Sequence, residues 1–143
     1  MEIEHIQLHG NPNFHTGIDL AGAWHTEILS VLDGKVVFAG VLGGYGNCVK
    51  IEHTYKDETI YSLYAHLAEI YVNNGQEVKQ GNVIGLQGGD PNKDNNPGTS
   101  TGSHLHFEIR KSTSGDFQNP RNYLYGGGSS WKLIYIIQQT NIK

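Results

Sequence analysis

In Ser103-His104-Leu105-His106-Phe107-Glu108-Ile109-Arg110, polar and apolar side chains alternate strictly from His104 onwards. A strand turns successive side chains to opposite faces of its sheet, so Leu105, Phe107 and Ile109 form a core-facing row. His104, His106 and Glu108 then share the other face. Two imidazoles placed in this way stand roughly 7 Å apart, two strand rises. One can bind a metal ion while the other stands beside a water molecule, so these eight residues predict both a β-sheet and a site upon it.

The segments around this strand extend the sheet. Apolar, β-rich runs at residues 27–32, 35–42, 47–53 and 59–66 are separated by Asp33-Gly34, Gly43-Gly44-Tyr45-Gly46 and residues 55–58, which reads as a meander of antiparallel strands. Residues 83–87 make a further short strand, and residues 88–102 form one long polar loop. Near the N-terminus, Asn11-Pro12-Asn13-Phe14-His15-Thr16-Gly17-Ile18-Asp19-Leu20 mixes turn formers with apolar residues. It is expected to be a loop leading into a short strand, with His15 and Asp19 on the loop. Residues 119–124 fit a terminal turn. Gly126-Gly127-Gly128-Ser129-Ser130 is a flexible linker by composition, and residues 131–138 are strand-like, expected either to dock on the sheet or to pair with another strand. A domain at residues 1–125 and a linker with tail at residues 126–143 follow.

Composition agrees with a mainly β protein. The 143 residues suit one compact catalytic domain, and 19 glycines, eight tyrosines and only 17% charged residues suit turns and strands. A net charge of −4 without any basic run argues against nucleic acid or an anionic membrane as partner. The lone Cys48 cannot form an internal disulfide and reads as a buried strand residue. Residues 1–10 lack the basic start and apolar stretch of a signal peptide, and no segment reaches membrane-spanning length, so none of either is expected.

A catalytic zinc site uses three nitrogen, sulfur or carboxylate ligands from the protein and leaves a fourth position for water. His15, Asp19 and His106 supply such a set. His66, closing the run Tyr64-Ala65-His66-Leu67, is positioned to approach the same face from a neighbouring strand. Glu108 has two readings, a hydrogen-bond partner for a metal-binding histidine or a solvated strand residue. Tyr45 and Asn47 either border a substrate groove or serve only the glycine turn they follow.

Taken together, these fragments form a pattern. Phe14-His15-Thr16-Gly17-Ile18-Asp19, Asp33-Gly34-Lys35-Val36-Val37-Phe38-Ala39-Gly40, Gly44-Tyr45-Gly46-Asn47, Tyr64-Ala65-His66-Leu67, residues 75–85 and Thr101-Gly102-Ser103-His104-Leu105-His106-Phe107-Glu108 occur in this order. In them the chain resembles the lysostaphin-type, LytM-like (M23) metallopeptidases, which cut peptide bonds in bacterial peptidoglycan. The resemblance implies an antiparallel β-sheet groove with loop walls, the duplicated hybrid motif of that fold. It also implies one zinc ion per chain, held by His15, Asp19 and His106, with His66 and His104 as catalytic residues. The partner it implies is a peptidoglycan peptide, met in the cell wall or periplasm or by way of a phage. Zinc lowers the pKa of a bound water to about 7, and histidine titrates close enough to neutrality to move the protons.

His5, His9, His25 and His53 match none of these motifs and are expected to be structural or exposed. The loop at residues 88–102 is longer than the usual connection, and Ser103 stands where the family often has proline; both departures bear on substrate fit. Two other classes compete. Some relatives of the family are non-catalytic scaffolds that activate other wall enzymes, and the signature of that class, loss of a site residue, is missing here. A lipoyl- or biotinyl-type carrier is suggested by Asp33-Gly34-Lys35-Val36-Val37 and residues 75–85, but Lys79 lacks the flanking methionine of an attachment site.

Overall fold

The computed structural model describes residues 8–9, 17–113 and 115–119. His15, the terminal turn at residues 120–124, the linker and the tail strand at residues 131–138 lie outside the described residues. The strands are β1 (Leu8–His9), β2 (Ile18–Ala21), β3 (Glu27–Leu29), β4 (Gly34–Val41), β5 (Asn47–Tyr55), β6 (Glu58–Ala65), β7 (Leu67–Ile70), β8 (Glu77–Val78), β9 (Val83–Gln87), β10 (His104–Arg110) and β11 (Phe117–Gln118). Helix among the described residues amounts to one 3-10 turn, Gly43–Tyr45. None is long and apolar enough to cross a membrane.

Every pairing is antiparallel. The larger sheet runs β1-β2-β10-β6-β5-β4-β8, with β11 also on β10, and the smaller runs β3-β9-β7. The expected meander holds for β4, β5 and β6. It does not hold for residues 27–32: β3 leaves the meander and pairs with β9 in the second sheet, through Glu27↔Leu86 and Ile28↔Gly85. Ile28 and Leu29 are both buried, so β3 lacks the polar face of a meander strand, and Ile28 joins the core from the opposing sheet.

One core lies between the sheets. Leu105, Phe107 and Ile109 of β10 join Ile18 and Leu20 of β2, Val49 and Ile51 of β5, and Ile28, Leu67 and Ile84 of the small sheet. Phe107 meets its register partner Tyr64 with ring centroids 5.4 Å apart. His53 also points into this interior and is 1% exposed. Burial holds its pKa below the usual histidine value, so it stays neutral, and its Nδ1–H donates to the Asp33 carbonyl at 2.8 Å. Its Nε2 lies 2.7 Å from the Ser62 hydroxyl, itself 2.9 Å from the Tyr64 hydroxyl, which accepts from the Val31 backbone N–H. This chain ties β5 and β6 to the segment after β3, a structural role as expected for His53.

On the outer face of β6 a smaller apolar cluster of Cys48, Leu63 and Ala65 is covered by Phe38, Leu42 and Tyr45. Cys48 is fully buried, as expected. The loop at residues 88–102 has no strand of its own and folds back on the Gly43–Tyr45 turn. Gly46 (φ 65°) and Gly98 (φ 69°) make that contact possible. A Cβ on Gly98 would sit 2.1 Å from the Gly44 carbonyl oxygen, and one on Gly46 would sit 2.2 Å from that of Asn96, so both positions need glycine for space as well as for conformation.

Candidate active site

The register of β10 explains how the site assembles. His106 lies opposite Asp19 of β2 on one side and Ala65 of β6 on the other. Asp19 therefore stands on a strand rather than on the loop expected for it, because pairing with β10 carries β2 back to Ile18. That pairing puts its carboxylate on the histidine face: Asp19 Oδ1 is 2.8 Å from His106 Nδ1 and 3.7 Å from His104 Nε2.

His66 follows β6 directly, at φ 62°, a left-handed conformation uncommon for residues other than glycine. Its backbone N–H donates to the Tyr45 carbonyl at 2.9 Å, and its Nδ1–H donates to the Pro97 carbonyl at 2.8 Å. These bonds hold the ring against the site, with centroids 4.9 Å from His104 and 6.1 Å from His106. Asp19, His66, His104 and His106 line one open cleft of about 470 Å³, together with Gly44 and Tyr45 of the 3-10 turn and Thr99, Ser100 and Thr101 of the long loop. Sheet below and loops at the sides are the groove the motifs predict.

Electrostatics sort the four groups. Burial, aided by the like charges of His104 and His106, pushes His66 down to about 4, so at neutral pH it is an uncharged imidazole. With Nδ1–H committed to Pro97, Nε2 carries the basic lone pair. His104 is arranged similarly, its Nδ1 2.9 Å from the Gly102 carbonyl and 3.2 Å from the Ser100 hydroxyl. Burial opposes charge on His106, but hydrogen bonds to Asp19 and Glu108 outweigh it and push its pKa up to about 9. Burial likewise opposes ionisation of Asp19, yet the bond to His106 and the neighbouring histidines hold its pKa below the usual value.

Of the five residues proposed from sequence, the structure brings together Asp19, His66, His104 and His106. His15 lies outside the described residues. Among the described residues no set of three donors closes round a single point. What the sequence reading left open is Glu108: it is fully buried, which removes the solvated alternative, and its Oε2 lies 2.8 Å from His106 Nε2. What it missed are Arg110, which grips Glu108, and the carbonyls of Pro97 and Gly102, which orient the two remaining imidazoles. Alternation along β10 placed Glu108 on the right face, whereas no local signal marks a carbonyl in a long loop.

A two-sheet antiparallel fold with this cleft defines a class, and the match of residues 13–120 to Peptidase family M23 shows that the chain belongs to it. Its relatives divide by role. The chain is 44% identical over 96 residues to DD-carboxypeptidase/endopeptidase Mpg of Neisseria meningitidis serogroup B, covering 67% of this chain and 20% of that protein. It is 41% identical over 109 residues to murein hydrolase activator NlpD of Escherichia coli K12, covering 76% of this chain and 25% of that protein. The chain thus spans a fifth to a quarter of the length of these curated relatives. Among solved structures it is similar to the catalytic domain of the antimicrobial peptidase lysostaphin from Staphylococcus simulans, at TM-score 0.67 and 31% identity, covering 80% of this chain and 82% of that one.

Proposed function

We propose that the chain is a zinc-dependent endopeptidase that hydrolyses peptide bonds of bacterial peptidoglycan, in the stem peptide or the cross-bridge. The observation that carries this reading is the meeting of Asp19, His106, His104 and His66 over one open cleft. His15, Asp19 and His106 would hold one zinc ion per chain. Two imidazoles and a carboxylate are the donors of a catalytic zinc site, and Asp19 Oδ1 and His106 Nδ1 already face each other. Zinc bound there would polarise the attacking water and the scissile carbonyl.

The remaining chemistry belongs to His66 and His104. Each has Nδ1 tied to a backbone carbonyl, so each offers Nε2 for proton transfer. As water oxygen bonds to the scissile carbon, one imidazole takes the proton released. As the carbon–nitrogen bond breaks, that proton is returned to the departing amine, directly or through the second imidazole. The open cleft suits an extended peptide better than an enclosed small molecule.

A second reading, a non-catalytic activator of cell-wall hydrolases, is favoured by the 41% identity to murein hydrolase activator NlpD. It leaves unexplained why two histidines are held with fixed ring orientation beside a metal-binding pair. The proposed catalytic unit is residues 1–125, with residues 126–143 as linker and tail, and its place of action is the cell wall or periplasm, or a phage particle. The test is metal removal. A strong chelator is expected to abolish hydrolysis of purified peptidoglycan, and stoichiometric zinc to restore it; full activity in a sample verified as metal-free would overturn the reading.

A further inference from the structure

We propose that Glu108 is a positioning residue for His106, and that Arg110 and Tyr45 hold its carboxylate in the one orientation that leaves Nδ1 of His106 for the metal. The inference rests on the zinc site proposed above. Glu108 is 0% exposed, and its register partner Leu63 belongs to the apolar cluster with Cys48 and Ala65. A carboxylate buried there is unfavourable unless it is paired and hydrogen-bonded. Oε1 is gripped by Arg110, 2.8 Å from both Nε and a terminal nitrogen, while Oε2 lies 2.8 Å from His106 Nε2. Arg110, 4% exposed, is fixed in turn by the Thr113 carbonyl at 3.0 Å and the Tyr45 hydroxyl at 3.3 Å.

The division of oxygens decides the chemistry. A carboxylate only accepts, so without metal both His106 nitrogens carry hydrogen, Nε2 towards Glu108 and Nδ1 towards Asp19; buried Glu108 holds the first in place, and Nδ1 is the nitrogen that gives up its hydrogen to a metal. Glutamine at position 108 would have nearly the same shape and the opposite effect. Arg110 only donates, so it would capture the amide oxygen and turn the NH2 group towards His106. Nε2 would then have to accept, which confines the remaining ring hydrogen to Nδ1, the atom the metal needs. Removing Arg110 as well frees the amide to turn over and present its oxygen to Nε2 again.

The experiment is a zinc titration against a competing chromophoric chelator for the parent, E108Q and E108Q/R110M, with thermal unfolding of the metal-free proteins as the folding control. E108Q is expected to bind zinc about 10–100-fold more weakly than the parent, and the double variant to bind more tightly than E108Q. Nitrogen-15 NMR of metal-free E108Q should show His106 Nε2 changed from a hydrogen-bearing to a lone-pair nitrogen. A purely structural Glu108 predicts the reverse order, with two substitutions worse than one. Parent-like affinity in E108Q, or a double variant no tighter than E108Q, overturns the inference while leaving the zinc site standing. A parent that binds no zinc overturns both.

Discussion

Replacing His106 by alanine is expected to strip the protein of zinc and of hydrolysis together. His106 supplies one of three proposed ligands, and its Nδ1 already faces Asp19 at 2.8 Å. With only His15 and Asp19 left, the metal would be held by two protein donors, too few for a catalytic zinc site. The fold should survive, because His106 belongs to the cleft rather than to the row of Leu105, Phe107 and Ile109 that packs the core. Metal content measured on the purified variant beside its turnover checks the expectation. A His106→Ala protein that keeps its zinc while His104→Ala loses it would exchange the roles of the two strand histidines.

His66→Ala and His104→Ala are expected to keep most of their zinc and to lose rate by roughly 10²–10⁴-fold, the usual worth of a positioned proton-transfer group. Both rings sit beside the Asp19–His106 pair without bridging it: His104 Nε2 is 3.7 Å from Asp19 Oδ1, and the His66 ring centroid is 6.1 Å from that of His106. Their Nδ1 atoms are held by carbonyls of the long loop, so the loop's task in this account is to aim two bases. Turnover near that of the parent in either variant would remove that residue from the proton-transfer scheme.

Much of the site was legible because β10 declares itself. Strict alternation over seven residues assigns His104, His106 and Glu108 to one face without knowledge of any partner strand. Partner choice is another matter. Nothing local in Ile18-Asp19-Leu20 says that it will lie against β10 in the register that sets Asp19 opposite His106, and so Asp19 read as a loop residue. The same long-range pairing drew β3 out of the meander and onto β9. Burial of Glu108 was hidden for a related reason: alternation gives a face but not what meets it there, and its partners include Tyr45, from a turn distant in sequence. The close approach of Gly46 and Gly98, which brings the Pro97 carbonyl to His66, joins two turns whose sequences reveal only that each can bend.

The most direct test of the central claim, peptide-bond hydrolysis rather than activation of another enzyme, is digestion of purified peptidoglycan by this chain alone. Substrates of different cross-bridge chemistry would be used, with mass analysis of the soluble products. The account predicts new amino termini in the presence of zinc, from the stem peptide or the cross-bridge, and none after chelation. Release of sugar fragments without new amino termini, or no products until a separate wall hydrolase is added, would contradict it.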